Sequence, residues 1–225
     1  MYSYIYIYIM IYKRLLMCRP IFFNVIHQNM NAHMKMQRNV NKTLACYQWE
    51  NLVNKLYMNG VKLSFIDPVK NLVDMVFTAN SALLYNNKAI ISNFEAIPRI
   101  PESDQFLDYY HGEGYDVYNM KTKFEGAGDA LFSHNLSHLW IGSGFRTCND
   151  ALYEVKDILA SKINYHSLKL VNKHFYHLDT CFCPINDDIL LLYEDAFDNE
   201  SLNKIYDVYD RDKCIKVSEE DAYNF

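Results

Sequence analysis

KHFYHLDTCFCPINDDILLLYEDAF, residues 173–197, sets two apolar runs around an Asn-Asp-Asp turn, and SLNKIYDVYD (201–210) and KCIKV (213–217) follow it. The two runs read as a β-hairpin, the next segment as a short helix behind it, and the last as a strand. Within this stretch, FYHLDTCFCP (175–184) puts His177, Asp179, Cys181 and Cys183 on alternate positions of a β-prone run. A strand here would point all four the same way, with His177 and Asp179 about 7 Å apart. A zinc site built from the four fails, because the outer pair would lie about 20 Å apart while zinc–ligand bonds are about 2.0–2.3 Å. The same spread makes Cys181 a poor nucleophile for His177, so both thiols read as small core residues. Asp179 is different: a carboxylate on an apolar strand is costly unless it meets a cation.

The pattern repeats outward. KRLLMCRP (13–20) reads as a strand stopped by Pro20, residues 39–59 as a helix ended by Gly60, and VKLSFIDP (61–68) as a strand. VDMVFTANSALLYNNKAIIS (73–92) reads as two strands around an Asn-rich turn, with a short helix over 104–111 and a strand at GYDVYNM (114–120). ALFSHNLSHLWIGSG (130–144) reads as another hairpin, and NDALYEVKDILASKI (149–163) as a helix capped by Asn149 or Asp150. So many hairpins argue against a doubly wound parallel sheet and suit a ring of small ββαβ units. No Pro/Gly-rich linker divides the chain. At 225 residues it can bury roughly 70% of its unfolded surface. A net charge of −5, without a basic stripe, argues against nucleic acid as a partner. Six irregularly spaced cysteines without a signal peptide read as reduced thiols in a cytoplasmic protein. MYSYIYIYIMIY (1–12) is shorter than the about 20 apolar residues of a spanning helix; it reads as an extension outside the core, with an extra edge strand, which its Tyr/Ile alternation would suit, and a membrane feature as alternatives.

Three further motifs carry chemistry-bearing residues. FEGAGDALF (124–132) brackets a Gly-Ala-Gly turn with Glu125 and Asp129; alone, it also reads as an ordinary glycine turn with solvated acids. DMVFTAN (74–80) places Asp74 and Asn80 on one face if it is a strand, or marks a strand flanked by turn-forming residues. GSGFRTCND (142–150) offers Arg146 before a helix, suited to a carboxylate but equally readable as a solvated side chain.

Together, in this order and at these separations, KRLLMCRP, NMNAHM, DMVFTAN, FEGAGDAL, GFRT, FYHLDTCFCP and EEDAYNF resemble the guanidine-group-modifying superfamily. This superfamily contains arginine deiminases, dimethylarginine hydrolases and amidinotransferases, and the arginine dihydrolase catalytic domain is the nearest likeness. The resemblance implies an α/β fold, a pentein-type five-bladed propeller of ββαβ units whose last blade is incomplete, over residues 13–225. It implies a small-molecule substrate, L-arginine or a derivative, with no metal, no cofactor and no membrane partner, and it leaves a homo-oligomer open. By motif, His177 would be the general acid and base, and Glu125 would orient it and hold a guanidinium nitrogen. Asp179 would pair with the guanidinium, with Asp129 in the same substrate-binding set. Asp74 would meet the α-ammonium and Arg146 the α-carboxylate, with Arg99 of IPRIPES a further candidate for the latter. Asn80 stands where deiminases and dimethylarginine hydrolases place an acid. A neutral amide both donates and accepts, so it could also hold a ureido group and allow a second hydrolysis to ornithine, carbon dioxide and another ammonia.

The superfamily's nucleophilic cysteine follows almost directly after the segment matching EEDAYNF, and the sequence stops at Phe225. None of Cys18, Cys46, Cys148, Cys181, Cys183 or Cys214 occupies that motif position. The expectation is an arginine-hydrolysing catalytic region that lacks its thiolate and is inactive as written. Simple deimination, dimethylarginine hydrolysis, amidino transfer and a non-catalytic remnant stand as alternatives.

Overall fold

The computed structural model describes residues 14–26 and 40–224. The 1–12 extension and the NMNAHM motif lie outside the described residues. The chain divides into two compact units, 1–78 and 79–225.

In the first unit, β1 (Arg14–Cys18) and β2 (Lys62–Ile66) pair in parallel, from Arg14 against Lys62 to Cys18 against Ile66. Between them runs α1 (Lys42–Met58), whose Asn41 cap accepts the Leu44 N–H and which ends at Asn59 before Gly60, at φ +78°. This helix buries none of its residues, and Leu44 and Leu52 are each 49% exposed. Arg19 pairs with Glu50 and lies over the Trp49 ring.

The second unit repeats one pattern three times. Its elements are β3 (Ala82–Tyr85), β4 (Lys88–Ile91), α2 (Glu102–Gly112) and β5 (Asp116–Asn119), then β6 (Ala130–Phe132), β7 (His138–Ser143), α3 (Ala151–Leu159) and β8 (Asn164–Lys169). The third set is β9 (Phe182–Pro184), β10 (Leu190–Leu192), α4 (Asn199–Tyr206) and β11 (Cys214–Lys216), after which comes a short α5 (Glu219–Tyr223). In each set the first two strands pair antiparallel and the helix crosses over to a parallel third strand. A 3₁₀ turn opens each set, at Thr78–Ser81, Gly126–Gly128 and Leu178–Thr180.

Strand β7 shows why the unit holds together. Leu139 and Ile141 face Ala151, Val155 and Leu159, which recur every fourth residue along α3, while Trp140 faces Leu168, Phe175, Phe182 and Leu190 on the other side. All these side chains are buried, and each leucine, isoleucine, valine and phenylalanine among them contributes about 1.5–3 kcal/mol. Alternation along one central strand thus feeds two cores.

Most elements fall where the sequence places them, including the turn at Asn86, whose φ of +53° suits an asparagine. Four readings need correction. FYHLDTCFCP is not one strand: β9 begins only at Phe182, and a 3₁₀ turn occupies Leu178–Thr180. The Thr180 hydroxyl donates to the His177 carbonyl at 2.6 Å and the Cys181 N–H to the Leu178 carbonyl at 3.1 Å, local bonds that compete with a ladder. DMVFTAN is likewise turns, with the Phe77 N–H on the Asp74 carbonyl at 3.0 Å, so the shared-face argument for Asp74 and Asn80 does not hold. Asp150 precedes α3 without a side-chain cap bond. Strand β8, NYHSLK, went unread because it lacks apolar alternation; β7 recruits it through parallel pairing.

Candidate active site

Glu125 sits immediately before the Gly126–Gly128 turn, fully buried. Gly126 has φ +58°, and a Cβ there would lie 2.8 Å from the Ala82 nitrogen, so a side chain meets both strain and backbone. The turn aims the Glu125 carboxylate at His177, and Oε2 lies 2.7 Å from Nε2. Arg146 Nη1 donates to both carboxylate oxygens at 3.3 Å, and the Glu95 N–H reaches Oε1 at 3.2 Å. Arg146 also lies over the Tyr176 ring, at 4.8 Å.

Asp129, at the other end of the turn, is fully buried as well. The Thr147 hydroxyl donates to its Oδ2 at 2.7 Å and the Leu178 N–H to its Oδ1 at 3.0 Å. The Glu125 N–H in turn donates to the Thr147 hydroxyl at 3.1 Å. One carboxylate therefore ties together the Gly126–Gly128 turn, the GFRT loop and the turn after His177.

Asn80 is the third residue of its own 3₁₀ turn and is 7% exposed. Arg99 Nη1 donates to its Oδ1 at 3.0 Å. Arg99 is 4% exposed; its Nε and Nη2 donate to Glu102 Oε2 at 3.1 and 2.9 Å, and its guanidinium covers Phe94 at 4.3 Å. A Cβ on Gly128 would collide with Asn80 Nδ2 and lie 3.6 Å from His177 Cγ. The absent side chain lets the Asn80 amide and the imidazole approach each other.

The electrostatics follow from this packing. Burial pushes the Glu125 carboxyl up, but the His177 bond and charge, with Arg146 and Arg99, outweigh it and hold the group at about 2. Burial would lower His177; the Asp129 and Glu125 carboxylates overcome that and raise it. Burial lifts Asp129 to about 7 against the pull of His177 and the Thr147 bond. Asp179 is raised to about 6 by the protein mass around it, against His177, although its side chain is open to water. It lines a cavity of about 260 Å³ with Thr180, Cys183 and Tyr193. A buried ionised glutamate bonded to an imidazole whose pKa is raised is a pair suited to passing a proton.

The structure therefore groups Glu125, His177, Asp129 and Arg146, with Asn80 and Arg99 joined to them through Gly128 and with Asp179 at the wet edge. Asp74 is buried in the first unit. Cys181 is buried, and burial pushes its thiol well up, which leaves it a poor nucleophile. Among the described residues, no group of three His, Cys, Asp or Glu side chains could hold a metal ion, and no helix is long and apolar enough to cross a membrane. Sequence reasoning missed Thr147 and Glu102. Their signals were adjacency, Thr147 following Arg146 and Glu102 lying three residues after Arg99.

The family model for eukaryotic N,N dimethylarginine dimethylhydrolase matches residues 20–225. The chain belongs to this dimethylarginine dimethylhydrolase family. The chain is 36% identical over 217 residues to the bifunctional arginine dihydrolase/ornithine cyclodeaminase AgrE of Nostoc sp., covering 94% of this chain and 30% of that protein. It is 30% identical to the N(G),N(G)-dimethylarginine dimethylaminohydrolase of Mycobacterium tuberculosis, covering 95% of this chain and 68% of that one. The chain thus spans about a third of the length of the bifunctional relatives. Among solved structures, the N-terminal domain of the cyanobacterial arginine dihydrolase ArgZ, a Cys-to-Ser mutant bound to substrate, matches with a TM-score of 0.86 and 35% identity. The match covers 93% of this chain and 77% of that domain. The α/β, pentein-type fold expected from the motifs is the family's fold.

Proposed function

We propose that this chain carries the guanidine-binding and proton-transfer groups of an arginine-hydrolysing enzyme that takes L-arginine to ornithine, carbon dioxide and two ammonia. The single observation that carries this reading is the buried Glu125–His177 pair, 2.7 Å apart, with Asp179 beside it. The acids supply the negative field a flat guanidinium needs. Protonated His177 gives its proton to the leaving amine, then takes one from the attacking water. Arg146 is the cation for an α-carboxylate in this reading. Asp129 acts by positioning, since both of its oxygens are held by Thr147 and Leu178.

The nucleophile in this reading is a cysteine thiolate that the chain does not itself place beside His177. The thiolate attacks the guanidinium carbon, ammonia leaves, and water cleaves the covalent adduct to regenerate the thiolate. Support comes from relatives: ArgZ was trapped with substrate as a Cys-to-Ser mutant, and AgrE with L-arginine as a Cys-to-Ala mutant. The chain alone is then expected to bind L-arginine but not turn it over. Ammonia release above a His177→Ala control would show that the nucleophile is misplaced. Fused to the remainder of the ArgZ domain that it does not cover, the chain should yield ornithine; citrulline without ornithine would refute dihydrolysis. The family name favours one second reading, hydrolysis of dimethylarginine, which would release dimethylamine and citrulline when dimethylarginine replaces L-arginine as the substrate.

A further inference from the structure

We propose that Thr147 is a positioning residue for His177: its hydroxyl, held in the GFRT loop, keeps the Asp129 carboxylate in place and ionised beside the imidazole. The acid–base role of His177 rests on the arginine-hydrolysis reading, whereas the hydrogen-bond chain that leads from Thr147 to His177 does not.

A hydroxyl carries one proton and two lone pairs. In Thr147 the Glu125 N–H occupies a lone pair at 3.1 Å, and the proton goes to Asp129 Oδ2 at 2.7 Å. The Leu178 N–H meets the other Asp129 oxygen at 3.0 Å. Each oxygen of the carboxylate thus faces a donor, an arrangement that favours its charged form. Asp129 is fully buried and Thr147 is 3% exposed, so bulk water does not stand in for a lost bond. The hydroxyl is also held from behind. The Thr147 carbonyl accepts the Gly144 N–H at 3.0 Å, and the next residue, Cys148, donates its N–H to the Lys123 carbonyl at 3.0 Å.

The chain of bonds ends at His177, because Leu178 is its neighbour and opens the turn that follows it. The charged and titratable groups facing the imidazole are Glu125 and Asp129 from either end of the Gly126–Gly128 turn, Asp179 and Tyr176 from its own segment, and Arg146 and Arg99 behind Glu125. Against the burial that would lower His177, the Asp129 charge is the largest opposing influence, ahead of Glu125 and Asp179. Burial lifts Asp129 itself to about 7, and the His177 charge, followed by the Thr147 hydroxyl, keeps it from rising further. A carboxyl poised so near neutrality loses its charge once a donor is removed, and Thr147 reaches the imidazole through it.

The test follows the His177 ring by NMR through a pH titration of the chain as it stands and of three variants. Thr147→Val deletes the donor and should lower the pH at which His177 titrates. Asp129→Asn removes the charge while keeping both bonds, the one to Thr147 reversed. It should lower the proton affinity of His177 by about 10-fold, as loss of an opposite charge beside a titrating group does. Thr147→Ser keeps the hydroxyl and should titrate as the unmodified chain does. A valine variant that melts earlier but leaves the His177 titration unmoved would make Thr147 a structural tie alone and overturn the inference. An unmoved His177 in Asp129→Asn overturns it too, even if the valine variant does not fold, and so does a serine variant shifted as far as valine. Failure of the unmodified chain to bind L-arginine in calorimetry would instead overturn the arginine-site reading and leave the role of Thr147 standing.

Discussion

Each ionisable group at the Glu125–His177 pair owes its state to its neighbours. His177 is raised and so stabilises the fold fully below its unfolded value, about 6.5; that contribution is lost as pH rises through the folded value. Asp129 works in the same direction, because its carboxyl moves from 3.8 to about 7 and the folded state holds its proton more tightly. Glu125, lowered from 4.5 to about 2, contributes stability above 4.5 and loses it as pH falls toward 2. Melting temperature should therefore decline from about pH 5 upward past 7, and NMR titration of the imidazole should show Glu125→Gln bringing His177 down in pKa. An unmoved His177 would mean the pair is not formed. Asp129→Ala removes the acceptor of two buried bonds and should cost about 2–4 kcal/mol in a denaturant melt.

At the scale of elements, the 3₁₀ turns matter more than the strands they open. Gly126→Ala would force a Cβ onto the Ala82 backbone at φ +58°, and should cost about 1–3 kcal/mol; a neutral result would show that the turn can relax. Thr180→Val deletes the hydroxyl bond to the His177 carbonyl, with an expected loss of about 1 kcal/mol and weaker arginine binding. The helix α1 makes the contrasting case. Its Leu52 is half exposed in a helix that buries nothing, so Leu52→Gln should change stability by less than about 0.5 kcal/mol.

Across the second unit, three repeats of one ββαβ pattern each deliver a turn to the same place. Asn80 comes from the first, Glu125 and Asp129 from the second, and His177 and Asp179 from the third. A binding group assembled this way depends on all three at once. L-arginine should raise the melting temperature of the chain, and Glu125→Ala, His177→Ala and Asn80→Ala should each abolish most of that shift; retention of the shift in all three would place the ligand elsewhere.

From the sequence alone one could read the hairpins, the crossover helices and the Gly-Ala-Gly turn, because periodicity and turn chemistry are local properties of a chain. The motifs also singled out Glu125, His177, Asn80 and Asp179. Only the tertiary structure decided how FYHLDT bends, that Asp129 is an anchor between turns, and that Arg99 meets Asn80 and Glu102. Those depend on which donor finds which acceptor across separations such as the 49 residues between Asp129 and Leu178. Spacing along a chain sets which groups are close locally, but burial and long-range hydrogen bonding set what each group can do.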